Sequence, residues 1–350
     1  MRVVLEATPL SLSSGGLARY TGELSLALAR CFPEDEFILT SDQRFPMPAG
    51  APSNLTRGGG PRTPAERRWW LWGLGREARR LHADVVHGPD FSVPYLPQKA
   101  SVLTLHDLSP WINSEWHYAA RRVRRRTPVL LEFGIATMVI TPSEVVRKQA
   151  VARFGLDPER VAAVPEAAPP WLGPVEVQPA QPYFLFVGTI EPRKNLTALL
   201  EAWLEVRRDH AIDLVLAGRR RADAPELKPH PGLRLIGEVP DTQLAELYSG
   251  ALAFVYPSLY EGFGLPVLEA MQCGACVIAS PAVAEAGGDA AVYADGTPAL
   301  ARALRQAAEN PEWVADRRAR SLARAREFSW ERSARLTYHV YEEARRRFGH

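Results

Sequence analysis

Cysteine is nearly absent: Cys31, Cys273 and Cys276 are the three in 350 residues. Three thiols cannot build the disulfide framework of a small secreted domain, so a reducing, cytoplasmic setting is expected. Cys273 and Cys276 form a C-x-x-C pair, but no second pair stands near them, and they sit between a helical stretch and the apolar Val277-Ile278. That context reads as small residues in a core rather than a metal or redox centre. Long apolar runs are missing as well. Nothing approaches the ~18 residues that a spanning helix needs, and MRVVLEATPLS is too short in its apolar part for a signal peptide. It reads as a first strand. Neither charge sign dominates: 42 Lys and Arg face 40 Asp and Glu, a net +2, which gives no general attraction for nucleic acid. No Asp-x-Asp pair of the kind that carries a metal and a diphosphate occurs, so no metal and no organic cofactor is expected.

What is present is an ordinary enzyme composition, 46% apolar and 23% charged, at a length that predicts two hydrophobic cores. Six prolines between 165 and 182 deny that stretch both helix and ladder bonds, and mark a connection. On either side of it short apolar strands alternate with amphipathic helices. Strands are predicted at Val3–Ala7, Phe37–Thr40, Asp84–His87, Val102–Leu105 and Met138–Thr141, then at Tyr183–Gly188, Leu214–Ala217, Leu233–Ile236, Ala253–Tyr256 and Cys276–Ala279. Helices are predicted at about 17–30, 64–81, 118–135 and 143–154, with a further one starting at Asn195, which can cap it. The alternation implies an α/β protein of two doubly wound parallel sheets, with ligands beyond the carboxyl ends of the strands. The expected division is 1–170, 171–328 and a terminal helix over 329–350.

Four segments carry chemistry. In Glu261-Gly-Phe-Gly-Leu-Pro-Val-Leu-Glu269, Pro266 fits a first helical turn, and Gly262 and Gly264 let the backbone approach a ligand. Free amides at such a helix start attract phosphate, while Glu261 and Glu269 can each accept hydrogen bonds from a diol. In Val187-Gly-Thr-Ile-Glu-Pro-Arg-Lys-Asn195, Arg193 and Lys194 add two cations that suit a diphosphate. The turn Gly15-Gly16-Leu-Ala-Arg-Tyr20 permits backbone contact with phosphate or sugar, and His106 ends a predicted strand, where it can donate to a sugar hydroxyl. The local alternatives are solvated turns and a structural histidine.

VGTIEPRKNLTALLEAW, LVLAGRR, LIGEVPDTQLAELYSGALAFVYPSLYEGFGLPVLEAMQCGACVIAS, VITPSE and GGLARY stand in the order found in the retaining glycosyltransferases of family 4, which this chain resembles over nearly its whole length. The resemblance implies the GT-B fold, two Rossmann-like domains facing across a cleft, with the terminal helix crossing back onto the N-terminal one. It assigns Glu261 to the donor sugar and Glu269 to the nucleotide ribose. Arg193 and Lys194 would hold the diphosphate, the backbone of Gly264 and Leu265 would touch phosphate or sugar, and Gly15 and Gly16 would close from the first domain. His106 would lie near the reacting centre. Two stretches depart from the family pattern: SPAVAEAGGDAA, where Glu285 stands in a shortened segment, and PEAAPP after Val164.

The implied activity is retaining transfer of a hexose, mannose first, from a GDP- or UDP-linked sugar to a hydroxyl of a saccharide or a polyprenyl-diphosphate-linked saccharide. The competing readings are a nucleotide-sugar epimerase or a glycogen-synthase-like polymerase on the same fold, and a non-catalytic glycan- or membrane-surface-binding protein. The last rests on Trp111, Trp116 and Tyr118 before Arg121, Arg122, Arg124, Arg125 and Arg126, and on Arg67 and Arg68 before Trp69, Trp70 and Trp72. Such runs suit an anionic lipid surface better than single-stranded nucleic acid, and otherwise read as solvated helix faces. Peripheral contact with the inner face of a membrane is therefore expected, and no nucleic acid.

Overall fold

Apolar runs such as Val3-Val4-Leu5 and Phe184-Leu185-Phe186 are fully buried, as strands covered on both faces must be. A computed structural model describes residues 1–12, 15–117 and 120–348. The chain divides into two compact units, residues 1–166 with 330–350, and residues 167–329. The first sheet has, among the described residues, seven parallel strands: β1 (Arg2–Glu6), β2 (Glu36–Thr40), β3 (Leu55–Arg57), β4 (Val85–Gly88), β5 (Ala100–Thr104), β6 (Met138–Thr141) and β7 (Val161–Ala163), ordered β3-β2-β1-β4-β5-β6-β7. The second has six: β8 (Tyr183–Val187), β9 (Asp213–Ala217), β10 (Leu233–Gly237), β11 (Ala253–Tyr256), β12 (Val277–Ala279) and β13 (Val292–Tyr293), ordered β10-β9-β8-β11-β12-β13. Each sheet reverses its strand order beside its first strand, as doubly wound sheets do.

All ten predicted strands are present within a residue or two. The three that sequence reading did not find, β3, β7 and β13, are edge strands of two or three residues. The first unit ends at Glu166, a few residues before the predicted 170, and Ala168 already packs with the second core.

Two helix expectations need correction. The single helix over 64–81 is a 3-10 turn at Pro64–Arg67, a widened π turn at Trp69–Gly73, and an α-helix only at Leu74–Arg80. Arg68 leaves helical angles (ψ 69°), and the Trp69 indole donates to the buried Glu6 carboxylate at 3.1 Å. Asn195 does precede the helix Leu196–Arg207, but its side chain makes no capping bond. It serves through its backbone, which is left-handed at φ 54°, a conformation that asparagine tolerates. The predicted stripe on that helix holds for Leu196, Leu199, Trp203 and Val206, which are buried, whereas Leu200 is half-buried. The helix predicted over 118–135 spans Arg121–Glu132, and Tyr118 lies outside the described residues.

The helix Trp330–Phe348 belongs to the first unit. Its buried Tyr341 hydroxyl meets His87 Nδ1 at 2.7 Å, Tyr338 stacks on Phe32 with ring centroids 3.7 Å apart, and Ser333 donates to the Pro165 carbonyl. Cys273 and Cys276 are buried free thiols, each pushed up to about 12 by burial, so neither presents a thiolate.

Candidate active site

β8 and β11 are neighbours in the second sheet, so the loops that follow them leave the same carboxyl edge side by side. That adjacency brings together two segments 67 residues apart in sequence, and the Leu259 amide donates to the Arg193 carbonyl at 2.9 Å to join them. The turn after β8 carries Arg193 and Lys194, and the loop after β11 carries Glu261. Arg193 Nη1 is 3.0 Å from Glu261 Oε2 and donates to the Tyr260 carbonyl at 2.7 Å. Its Nε and Nη2 both donate to Glu191 Oε1, at 3.1 and 2.9 Å. The second oxygen of Glu191 pairs with Arg221. Lys194 Nζ pairs with Glu261 Oε1, which also accepts from Ser258 Oγ, and donates to the Tyr256 hydroxyl at 2.7 Å.

These groups are almost removed from water, Arg193 at 9% exposure and Lys194 at 6%. Burial alone would raise the Glu261 carboxyl. Arg193 and Lys194, with the bonds from Lys194 and Ser258, outweigh it and hold the group at about 2. Burial, with Arg193 close by, lowers the Lys194 ammonium against the pull of Glu261. Two cations and a carboxylate thus share a low-dielectric pocket in which their interactions are strong.

Glu261 is followed at once by the helix start. Gly264 has φ 109° and precedes the helix Leu265–Gln272, whose first turn holds Pro266. A Cβ at Gly264 would come within 2.7 Å of Val283 Cγ1. Gly264→Ala is therefore expected to destabilise the second unit by about 1–3 kcal/mol, through left-handed strain and the clash together, as read by urea denaturation. Glu269 lies one turn into this helix at 4% exposure and accepts from the Tyr248 hydroxyl at 2.9 Å. Glu285 sits on the short helix Ala284–Gly287 after β12.

The first unit gathers its titratable side chains at the same kind of edge. β1, β4 and β5 are adjacent, and Glu6, Asp90 and His106 stand at or just beyond their carboxyl ends. His106 Nε2 is 2.7 Å from the Pro89 carbonyl, which can only accept, so that nitrogen carries a proton. Nδ1 faces Glu166 Oε1 at 3.4 Å, and the Tyr20 ring packs edge-on at 4.7 Å. Burial would lower the imidazole, but Glu166, Asp90 and the Pro89 carbonyl raise it above its ordinary value. Glu6 is fully buried. Desolvation lifts it to about 7 although Thr8 and Trp69 donate to it. Asp90 is raised, again by burial. Gly15 and Gly16 are exposed at the start of the helix Gly16–Cys31, and Gly15 has φ 116°.

Two of these three raised groups, Glu6 and His106, set a pH dependence. A carboxyl raised from 4.5 to about 7 binds a proton in the folded chain that the unfolded chain has already released. Stability is then lost as pH rises through that window, by at most about 3 kcal/mol. His106, also raised, contributes stability below its unfolded value that is lost as pH rises through the folded one. The buried His87, held at about 3 by desolvation, works the other way, but only below 6.5, so the first unit is expected to be more stable at pH 6.5 than at pH 8.5. Urea melts followed by the fluorescence of single-tryptophan variants would check this.

Residues 14–170 match the family described as Glycosyltransferase Family 4, and residues 181–310 match Glycosyl transferases group 1. O-antigen chain mannosyltransferase B of Escherichia coli is 34% identical over 283 residues, 74% of either chain. The chain belongs to glycosyltransferase family 4. The serotype-specific mannosyltransferase WbdA of Escherichia coli is 28% identical over 285 residues, which are 73% of this glycosyltransferase but 34% of WbdA. Among solved structures, sucrose-phosphate synthase from Thermosynechococcus elongatus superposes with a TM-score of 0.78 over 98% of each chain at 19% identity, a likeness of GT-B fold.

In this glycosyltransferase the second unit brings Arg193, Lys194 and Glu261 into one cluster, with Gly264 and Leu265 three and four residues further on. Gly15, Gly16 and His106 belong to the first unit. Sequence reading missed Glu191, Ser258 and Tyr256, which anchor the cluster, and Glu6, Asp90 and Glu166, which surround His106. Glu191 and Ser258 stand two and three residues from residues already singled out. Glu6 was visible as a carboxylate closing an apolar strand, a position where burial shifts a titration. Among the described residues no group of three or more His, Cys, Asp or Glu is arranged to hold a metal, and no helix is long and apolar enough to cross a membrane.

Proposed function

We propose that this glycosyltransferase moves mannose from GDP-mannose to a hydroxyl of a saccharide or lipid-linked saccharide, with retention of configuration and without a metal or organic cofactor. UDP-linked glucose or N-acetylglucosamine are the next donors in line. The observation that carries the reading is the buried cluster of Arg193, Lys194 and Glu261 at the carboxyl edge of β8 and β11, beside the helix start at Gly264. The 34% identity to an O-antigen mannosyltransferase supports the sugar and a saccharide acceptor.

On this reading the second unit holds the donor. The diphosphate approaches Arg193, Lys194 and the amides following Gly264, and shares the two cations with Glu261. Glu261 keeps them from repelling each other when no phosphate is present. Glu269 accepts from the ribose hydroxyls. As the anomeric C–O bond breaks, its electron pair passes to the leaving phosphate, where the cations stabilise it. The acceptor oxygen forms the new bond on the face that the nucleotide leaves, and its proton passes to a phosphate oxygen. His106, with both nitrogens engaged in the first unit, adds positive potential at that unit's strand ends when it is protonated. We place the enzyme in the cytoplasm, in peripheral contact with the inner face of the membrane.

A thermal-shift screen of GDP, UDP and their sugars tests the donor, because stabilisation follows affinity through mass action. Selective stabilisation by GDP-mannose is expected, and equal stabilisation by every nucleotide sugar would reject it. Proton NMR of the product tests retention. Release of an altered sugar nucleotide without any acceptor would instead favour an epimerase.

A further inference from the structure

The first unit contains a groove of about 840 Å³ lined by Arg67 and Arg68 together with Arg122, Arg125 and Arg126. The five guanidiniums share it with one carboxylate, Asp42. None of the five forms an ion pair among the described residues. Two of them bond Tyr95, whose hydroxyl accepts from Arg126 at 2.9 Å and from Arg122 at 3.5 Å, with Arg126 lying 5.0 Å from the ring centroid. On the helix Arg121–Glu132, Arg122 stands three and four residues from Arg125 and Arg126, spacings at which like charges repel. One carboxylate against five cations leaves most of this repulsion unrelieved within the groove.

The remaining wall is apolar, with Leu71, Val129 and Ile135. Val129 is 45% exposed, and Phe133, one turn further along, is 77% exposed. A ligand that satisfies both walls must be anionic at one end and apolar at the other. A free phosphate leaves the apolar wall bare, and a neutral glycan leaves the cations unpaired.

We infer that this groove binds the diphosphate and first isoprenoid units of a lipid-linked acceptor. The inference rests on the reading of the chain as a transferase with such acceptors, and identifies where the lipid end is held. Guanidinium forks bond phosphate oxygens in pairs, and the chain leaves along Val129 and Phe133 toward the bilayer.

The test uses the whole chain with saturating GDP and UDP to occupy the donor site, and calorimetry with three probes: farnesyl diphosphate, farnesol and inorganic diphosphate. Farnesyl diphosphate is expected to bind roughly tenfold or more tighter than inorganic diphosphate, and farnesol not measurably. The double variant Arg122→Gln, Arg126→Gln should weaken farnesyl diphosphate at least about tenfold. Val129→Asp, at an exposed position that tolerates a polar side chain, should do likewise. Both variants should keep the wild-type response to GDP-mannose. Equal affinity for the two diphosphates, or unchanged binding in the variants, would overturn the proposal. So would vesicle sedimentation in which phosphatidylglycerol retains the protein as well as the same charge of undecaprenyl diphosphate, since the groove would then serve bilayer headgroups in general. Farnesyl diphosphate binding without any response to nucleotide sugars would count against glycosyl transfer and leave the groove assigned.

Discussion

Lys194→Ala is expected to lower kcat roughly 10²- to 10³-fold while changing KM far less. The ammonium is buried, with its Nζ paired to Glu261 and bonded to Tyr256 at 2.7 Å, so its position is set before any substrate arrives. A fixed cation in a low-dielectric site interacts most strongly where negative charge is growing. On the proposed reaction that is the phosphate oxygen released as the glycosidic bond breaks. On the same reading the ground-state diphosphate is also bonded by Arg193 and the helix-start amides, so removing Lys194 should act mainly on the barrier. Steady-state kinetics with GDP-mannose measure this. Lys194→Met, which keeps an unbranched side chain beside Tyr256 in place of the ammonium 4.9 Å from that ring's centroid, separates loss of charge from loss of packing. Turnover near the wild-type value in both variants would remove Lys194 from the chemistry.

Glu261→Ala is expected to destabilise the second unit by about 3–5 kcal/mol, because it leaves two buried cations without their shared counter-ion. Glu191 continues to hold Arg193, but Lys194 keeps only the Tyr256 hydroxyl among the partners described above. The same carboxylate sets the acid response. Its folded value near 2 lies below the ordinary 4.5, so it contributes stability that is complete above 4.5 and is lost as pH falls toward 2. The contribution is at most about 3 kcal/mol. The two units are thus expected to answer pH in opposite directions, the second weakening in acid and the first above neutrality. Denaturation of Glu261→Ala at pH 7, and of the wild type from pH 2 to 6, reads both effects. An unchanged midpoint in the variant would show that Arg193 and Lys194 find other anions.

The sheets were legible because their central strands are continuous apolar runs, and an apolar run of that length announces a strand covered on both faces. Leu55–Arg57 and Val161–Ala163 escaped notice since an edge strand of three residues carries almost no periodic signal. The 64–81 segment misled for another reason. Its helical spacing is real, but Trp69 is bound to Glu6, 63 residues earlier, and that tertiary bond overrides local preference. The same limit applies to the site. Arg193, Lys194 and Glu261 could be picked out by type and turn context, whereas their pairing with one another depends on β8 lying beside β11. Reading each alone suggested two free cations and a free diol acceptor. Together they form a closed cluster that a ligand must enter by exchange.

The placement of the helix Trp330–Phe348 in the first unit has a consequence for biosynthesis. His87 emerges from the ribosome about 250 residues ahead of the Tyr341 hydroxyl that it bonds. Domains made early in synthesis generally fold early, but here the amino-terminal sheet waits with one flank uncovered until the helix Trp330–Phe348 has been made. The second unit, though encoded later, is complete at Ser329 and can close first. A nascent chain stalled within Trp330–Phe348 would therefore present a finished second unit attached to an unfinished first unit, the form most in need of a chaperone.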